Sequence, residues 1–172
     1  KHNPNRADCV VSGTFVNPAL SATVKTNNTA YVNYQAMLAT VASGIDLTNA
    51  ANYAAVAAKL DLDAFIDYMV LNFAFNNFDW SHQNWYASYR RASPDGRWRF
   101  HSWDAEHVLR IAAEERIAFS LSGTGSSEWL TDCKQAGTPT FIHQRLATNA
   151  DYRMRFADRI QKWCFHDALL TV

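Results

Sequence analysis

Three polar residues, Asp79, Asn84 and Asp104, could do chemistry together in this sequence. An aspartate can accept the proton of an attacking hydroxyl group, while an asparagine and a second aspartate can hold Mg²⁺ against the phosphates of ATP. Magnesium favours hard oxygen ligands and takes only one or two carboxylates from a protein. The set therefore contains the groups that phosphoryl transfer requires.

The spacing of Asp79 and Asn84 is weak evidence when taken alone. With 12 Asp and 13 Asn among 172 residues, about one D-x-x-x-x-N match is expected by chance. Asp67 and Asn72 also match it. Those two fall inside a predicted helix, where five steps put them about 140° apart, so they cannot converge on one ligand. The secondary-structure elements around each pair must therefore decide which pair could form a site.

The helix predicted before Asp79 is the best defined element. Asp61 is its N-cap, and Leu60 and Phe65 are placed to form a hydrophobic staple across that cap. Its apolar residues recur at helical spacing and form one stripe, which consists of Leu62, Phe65, Ile66, Met69, Val70 and Phe73. The asparagines at 76–77 end it. Asp79 therefore lies on the connection that follows the helix.

A β-hairpin is predicted to bring Asp104 back toward Asn84. The stretches WYASYRR and RWRFHSW flank ASPDG, which indicates two strands and a five-residue loop. The simplest register pairs Trp85 with Trp103, Ala87 with His101, Tyr89 with Arg99 and Arg91 with Arg97. One step further, Asn84 faces Asp104. Neighbouring strands lie about 4.8 Å apart, so both side-chain oxygens could reach one ion.

The remaining pattern is mainly helical. Residues 1–30 are rich in Asn, Thr and Ser and are expected to be irregular, and the stretch SGTGSS at 122–127 is expected to be a mobile loop. Further helices are predicted at Tyr31–Ala42, Ala50–Lys59, around Thr140–Thr148, and after a cap near Asn149 with Tyr152, Phe156, Ile160 and Trp163 facing inward. The expected fold is α+β, predominantly α, with one β-hairpin.

Composition excludes several classes of protein. The chain is 48% hydrophobic and 13% aromatic, which is typical of one packed domain and not of a disordered chain. Its formal net charge is zero, which argues against nucleic acid as a partner. No apolar run approaches the roughly 20 residues of a membrane span.

The three cysteines, Cys9, Cys133 and Cys164, contain no C-x-x-C pair, so a zinc site is not indicated. Buried thiols and a Cys133–Cys164 bridge in a secreted protein both stay open.

One family resemblance joins these motifs. The segment from Leu60 to Thr171 resembles the CotH family, named for spore coat protein H, whose pattern is N-x-D, then N-W/Y-Y, a hairpin and W-D-x-D. Here these are Asn77-Phe78-Asp79, Asn84-Trp85-Tyr86 and Trp103-Asp104-Ala105-Glu106, and the closing stretch FIHQRLATNADYRMRFADRIQKWC is also similar.

The resemblance implies the C-terminal lobe, residues 31–172, of an atypical protein kinase that is secreted or associated with the cell envelope. It implies ATP with Mg²⁺ or Mn²⁺ as cofactors and serine or threonine of a protein as the acceptor. Asp79 would be the catalytic base, while Asn84 and Asp104 would bind the metal and nucleotide. Glu106 stands where the pattern has its second aspartate, and it would be a further metal ligand. Trp85 and Trp103 would wall the site.

Kinases also need a glycine-rich cover and an anchoring lysine on an N-terminal lobe. No G-x-G-x-x-G precedes Asp79, and Lys25 does not have the expected strand context. We therefore expect that the first lobe lies before Lys1 and that this fragment alone is inactive.

Several alternatives stay open. His101, Asp104 and His107 could hold a transition metal, and Asp79 with Glu106 could act as a glycosidase pair. Asp104 could instead form a salt bridge with an arginine of the hairpin. The hairpin arginines could dock an acidic substrate; they are Arg90, Arg91, Arg97 and Arg99. The chief rival is a secreted binding or scaffold module that keeps the fold without catalysis.

Overall fold

The computed structural model describes residues 8–11, 29–77, 80, 84–90, 96–109, 136–165 and 170. In chain order the elements are β1 (Asp8–Val11), α1 (Thr29–Leu38) with a 3₁₀ turn (Ala39–Val41), α2 (Ala50–Ala57), α3 (Leu62–Ala74), β2 (Trp85–Tyr89), β3 (Arg99–Ser102), α4 (Pro139–Leu146) and α5 (Ala150–Cys164). The described part is mostly helical with one antiparallel sheet, so the α+β prediction is confirmed. None of its helices has the length and apolar character of a bilayer-spanning segment.

Helix α3 begins and ends as its sequence predicts. The Asp61 carboxylate accepts the Ala64 N–H at 3.4 Å, and Leu60 and Phe65 beside this cap are fully buried. At the other end Asn76 has a φ of 47°, a left-handed conformation that asparagine tolerates better than most residues. The N–H of Asn77 then donates to the Asn72 carbonyl at 3.0 Å. This Schellman-type ending satisfies the last carbonyls of the helix.

The apolar stripe of α3 lies in the core. All of its members are buried except Phe73, which is partly buried. Its opposite side meets α5, where Arg159 Nε donates to Asp67 at 2.6 Å and the Trp163 indole N–H donates to the same carboxylate at 2.7 Å. Asp67 thus serves α5 while Asn72 is buried, as the angular separation of this chance pair predicted.

The sheet contains a strand that the sequence did not predict. Residues 1–30 were expected to be irregular, but Asp8–Val11 form β1 and pair antiparallel with β2. The strand order is β1-β2-β3, so β2 is central. Four residues flanked by polar stretches give too short an alternating pattern to be recognised without the partner strand.

The predicted hairpin forms, but its predicted register is wrong by one residue. Trp85 pairs with Ser102 and Ala87 with Phe100, not with Trp103 and His101. A one-residue slip moves every side chain to the other face of a sheet. The observed register puts Phe100 inside with Ala87 and leaves His101 only partly buried, whereas the predicted one would have buried the imidazole. Burial of the phenyl ring therefore decides the register.

A second contact fixes where β3 begins. Trp98 donates its N–H to the Lys59 carbonyl at 2.7 Å and accepts the Asp61 N–H at 3.0 Å. This parallel bridge joins the hairpin to the connection between α2 and α3. The buried Trp98 indole packs edge-on against Tyr34 of α1, with ring centroids 5.0 Å apart. The hairpin is thereby held to the helices at its turn end, opposite the end that carries Asn84 and Asp104.

Candidate functional site

The connection after α3 is anchored on both sides of Asp79. Asn77, two residues earlier, is 2% exposed, and Trp80, the next residue, is 1% exposed. The Trp80 ring packs edge-on against Tyr68 and Phe73 of α3, at 5.8 and 5.6 Å between centroids. Asp79 itself, the predicted catalytic base, lies outside the described residues.

Asn84 and Asp104 lie next to each other at the open end of the sheet. The Asn84 carbonyl accepts the Trp103 N–H at 3.2 Å, which continues the observed register by one step. The Asn84 side-chain amide donates to the backbone carbonyl of Asp104 at 3.3 Å. The predicted adjacency of residues 84 and 104 is therefore present, although it runs through the Asp104 main chain and the residue directly opposite Asn84 is Trp103.

Both residues have a backbone conformation that most side chains avoid. The φ angle is 57° at Asn84 and 52° at Asp104. Asparagine and aspartate are several-fold enriched in this left-handed region. Unusual backbone angles of this kind cluster at functional sites. These two left-handed residues also turn the chain at this end of the sheet, Asn84 just before β2 and Asp104 shortly after β3.

The segment that follows Asp104 returns to α3. The Leu109 N–H donates to the Phe75 carbonyl, directly after the end of α3, at 2.9 Å, and Leu109 has a left-handed φ of 52°. The carboxyl end of α3, the start of β2 and the end of β3 therefore meet in one region. This region carries Asn77, Asn84 and Asp104.

Glu106, the third predicted metal ligand, is exposed near the same region. Its carboxylate lies 3.8 Å from His107 Nε2, and about half of the Glu106 side chain is accessible. Asp104 is exposed as well. Both carboxylates can therefore be reached from solvent.

The alternative site of His101, Asp104 and His107 is not formed. Within the described ranges no group of three or more His, Cys, Asp or Glu could hold a metal ion. His101 instead lies 2.8 Å from the Ser88 hydroxyl and stacks on Tyr86, with ring centroids 4.7 Å apart. Burial, with a smaller effect from Arg99, lowers the pKa of His101, so its ring is neutral at pH 7.

The two tryptophans predicted to wall the site have different environments. Trp85 is fully buried and stacks near Tyr34, at 6.4 Å between centroids, so its assignment to the site was wrong. It faces the core because the observed register places it with Phe100. Trp103 is 57% exposed and directly precedes Asp104. Of these two tryptophans, Trp103 is the one that can present its indole to a ligand there.

Of the hairpin arginines that could pair with Asp104, Arg99 has a different partner. Arg99 Nε donates to Asp61 at 2.8 Å, which ties β3 to the N-cap of α3. Arg90 and Arg97 are exposed. Arg91 and most of the predicted turn lie outside the described residues. Arg99 therefore has a structural contact that does not involve Asp104.

A cavity of about 460 Å³ adjoins this region. It lies between α3, the edge strand β3 and the end of α5, and Ser102, Tyr86 and Trp163 are among its lining residues. Ser102 stands two residues before Asp104, so the cavity adjoins the strand end that carries the candidate ligand.

Sequence reasoning missed two residues at the centre of the site region, Asn72 and Ser102. Asn72 was set aside as a chance match, yet its buried amide contacts both Ser102 and Asn77. The available signal was an amide among the apolar residues of a helix, which indicates a polar partner that the helix alone does not supply.

The cysteine prediction is decided in part. Cys164, at the end of α5, carries a free thiol and is half-buried. Cys133 lies outside the described residues, as does the predicted loop at 122–127. Cys164 therefore has no disulfide partner among the described residues, and the Cys133–Cys164 pairing stays a prediction.

Comparison with known proteins identifies a family for this chain. The family described as CotH kinase protein matches residues 11–167, which is most of the chain and includes every candidate site residue. Searches among curated proteins and solved structures return no match. On the extent of the family match, the chain belongs to the CotH kinase protein family.

Proposed function

We propose that this chain is the C-terminal catalytic portion of an atypical protein kinase, with a kinase-like lobe, that transfers the γ-phosphoryl group of ATP to serine or threonine of a protein. The observation that carries the proposal is the contact between Asn84 and Asp104 at the open end of the sheet. Asn84 and Asp104 supply a carboxamide and a carboxylate from one end of the sheet, and Asp79 supplies a second carboxylate, which are the groups that phosphoryl transfer needs from a protein.

The oxygen donors suit a divalent ion. Asn84, Asp104 and Glu106 provide one carboxamide and two carboxylates, and hard oxygen ligands of this kind select Mg²⁺ or Mn²⁺ over zinc. Asp104 and Glu106 are exposed, so an ion can reach them without unfolding of the site. A bound ion would neutralise the negative charges of the ATP phosphates. The protein's own contribution is to hold Asn84 and Asp104 in place through the paired strands β2 and β3.

Asp79 is proposed to act on the acceptor. Its carboxylate takes the proton of the serine or threonine hydroxyl as that oxygen bonds to the γ-phosphorus and the bond from phosphorus to the ADP oxygen breaks. The described residues on either side of it, Asn77 and Trp80, are buried. This supports the role, because anchored neighbours limit the freedom that a catalytic base must lose when the substrate binds.

The proposed setting and partners follow the family pattern. We place the protein outside the cytoplasm, secreted or in the cell envelope, with a protein rather than a nucleic acid as its substrate. The proposal includes an N-terminal lobe of the same protein that covers ATP, since kinases need a glycine-rich cover and an anchoring lysine. Without that lobe the portion described here is expected to be inactive.

The test is a labelling assay with the full-length protein. With Mg²⁺ or Mn²⁺ and γ-labelled ATP, the wild type is expected to label itself or a serine-rich protein. Asp79→Asn should reduce labelling by about 10²-fold or more. The matched control is Asp158→Asn, which makes the same change at an exposed position of α5 and should label normally. No labelling by the wild type would favour the non-catalytic binding or scaffold module.

A further inference from the structure

A buried polar network crosses from α3 to the sheet beside the candidate site. Asn77 Nδ2 donates to Asn72 Oδ1 at 2.8 Å. Asn72 Nδ2 donates to the Tyr68 carbonyl at 2.8 Å and to the Ser102 hydroxyl at 3.2 Å. Asn72 and Asn77 are each 2% exposed. Asn72 is the hub, since it contacts both of the other side chains.

Packing alone does not account for an amide at position 72. Asparagine is a poor residue for a helix interior, and burying its amide is costly unless each polar atom finds a partner. An apolar side chain would extend the stripe that already includes Met69 and Phe73. The amide therefore contributes something that an apolar side chain cannot.

Ending the helix does not account for it either. The main-chain bonds from Asn76 and Asn77 to the carbonyls of Phe73 and Asn72, at 3.1 and 3.0 Å, already satisfy the end of α3. The Asn72 side chain takes no part in those two bonds. Its contacts instead link two separate segments, the connection after α3 and the end of β3.

Those segments carry the groups proposed to act on substrate and metal. Asn77 stands two residues before Asp79, and Ser102 stands two residues before Asp104. Resting on the proposed function, we infer that Asn72 is a positioning residue that holds Asn77, two residues before the catalytic base, against Ser102, two residues before the metal ligand. A displacement of about 1 Å between reacting groups can cost about 10²-fold in rate.

Other anchors allow the position to be disturbed without loss of the fold. Trp80 holds the far side of Asp79 through its contacts with Tyr68 and Phe73. The pairing of β2 with β3 keeps Asn84 near Asp104. Loss of the Asn72 amide therefore releases Asn77 relative to Ser102, while α3 and β3 remain attached to the core.

The test compares substitutions of the network in the full-length protein. Asn72→Leu removes the amide and keeps an apolar volume, and Ser102→Ala is a milder change that removes one hydroxyl. Each is expected to lower kcat, by about 100-fold and about 10-fold respectively, and to raise the Mn²⁺ concentration needed for half-maximal activity several-fold. The KM for the protein substrate should stay within about twofold. Ser102→Thr, which keeps a hydroxyl, should restore both values.

The control is Asn52→Leu. Asn52 also donates its amide to a main-chain carbonyl, that of Asp46 at 2.8 Å, but on an exposed surface remote in sequence from the site. The Asn52→Leu variant should have the same kcat and the same Mn²⁺ requirement as the wild type. A purely structural role for Asn72 would lower the folded fraction and leave the Mn²⁺ requirement unchanged. An unchanged Mn²⁺ requirement in both Asn72→Leu and Ser102→Ala would therefore overturn the inference.

A readout independent of activity separates this inference from the proposed function. Hydrogen exchange of the Trp103 and Leu109 amides reports the contacts of the strand end with Asn84 and with Phe75. Both amides should exchange faster in Asn72→Leu than in Asn52→Leu. If the wild type proves inactive, the proposed function fails. Equal exchange rates in the two variants would then overturn the structural part of the inference, whereas faster exchange in Asn72→Leu would support it.

Discussion

Asn84 and Asp104 are joined by a hydrogen bond of 3.3 Å from the side chain of the first to the main chain of the second, and both have left-handed backbones. β2 begins directly after Asn84, and β3 ends two residues before Asp104. The sheet therefore fixes the backbone at both positions before any ligand binds. Groups that are held in place beforehand need little reorganisation during reaction, which is a major source of catalytic power.

The left-handed backbone at Asn84 allows its two roles to be separated. Asn84→Gly accepts the same φ without strain but removes the carboxamide, whereas Asn84→Ala removes it and adds roughly 1 kcal/mol of strain. Both variants should lose phosphoryl-transfer activity to a similar extent, and only the alanine variant should lose that additional stability. Activity assays and urea unfolding measure the two effects. Full activity in Asn84→Gly would show that the carboxamide is not needed.

Replacement of the two hairpin tryptophans by alanine should affect different properties, stability for one and ATP binding for the other. Trp85 is fully buried, so Trp85→Ala should lower the free energy of unfolding by about 3–5 kcal/mol. Trp103 is 57% exposed, so Trp103→Ala should change it by no more than about 0.5 kcal/mol while raising the KM for ATP. Thermal unfolding and steady-state kinetics distinguish them. An unchanged KM in Trp103→Ala would remove this residue from the site.

Asp61 combines a helix cap with an ion pair. It accepts the Ala64 N–H and pairs with Arg99 at 2.7 Å while being largely buried. Asp61→Ala should cost about 1–2 kcal/mol through loss of the cap, with a further loss from the ion pair. Asp61→Asn, which keeps the cap acceptor, should cost less.

Asp63 provides the control for this series. It pairs with Arg155 at 2.7 Å, but both side chains are nearly half exposed, so Asp63→Ala should cost no more than about 1 kcal/mol. Urea unfolding at pH 7 gives the three values. A loss in Asp63→Ala equal to that in Asp61→Ala would contradict the assigned roles.

Local signals in the sequence predicted the helices well. The cap at Asp61 and the asparagine pair at 76–77 define α3 because caps and helix ends depend on neighbouring residues. The cap at Asn149 likewise starts α5, where its side chain accepts the Tyr152 N–H at 3.2 Å. Both elements depend on short-range chemistry that a sequence displays directly.

Contacts between distant segments were harder to predict. The sheet register depends on which of two adjacent residues, Phe100 or His101, faces the core, and turn length alone does not decide this. The role of Asn72 depends on Ser102, thirty residues away. The proximity of residues 84 and 104 could be predicted because either register brings them together.

Stability should fall in mild acid because of His143. Burial lowers the pKa of this histidine to about 4, against about 6.5 in an unfolded chain. The stability that the neutral His143 ring contributes is complete above pH 6.5 and is lost as the pH falls toward 4. The reason is that His143 of the unfolded chain takes up a proton at a higher pH than it does in the folded protein. The loss from pH 7 to pH 5 is on the order of 2 kcal/mol.

His143→Gln tests this linkage. The buried ring lies 2.8 Å from the Tyr152 hydroxyl, and glutamine can keep a hydrogen bond there without titrating. Urea unfolding at pH 7 and pH 5 should show a smaller decrease for the variant than for the wild type. Equal decreases in the two proteins would mean that another group causes the acid sensitivity.

Binding of Mn²⁺ to the full-length protein, followed by electron paramagnetic resonance in the presence of a non-hydrolysable ATP analogue, tests the central claim most directly. Asp104→Asn should weaken Mn²⁺ binding by at least about tenfold, because even the loss of an outer-shell partner typically weakens metal binding by about 10- to 100-fold. Asp158→Asn on the exposed side of α5 should bind Mn²⁺ as the wild type does. Equal affinity in wild type and Asp104→Asn would contradict the assignment of this end of the sheet as a metal site.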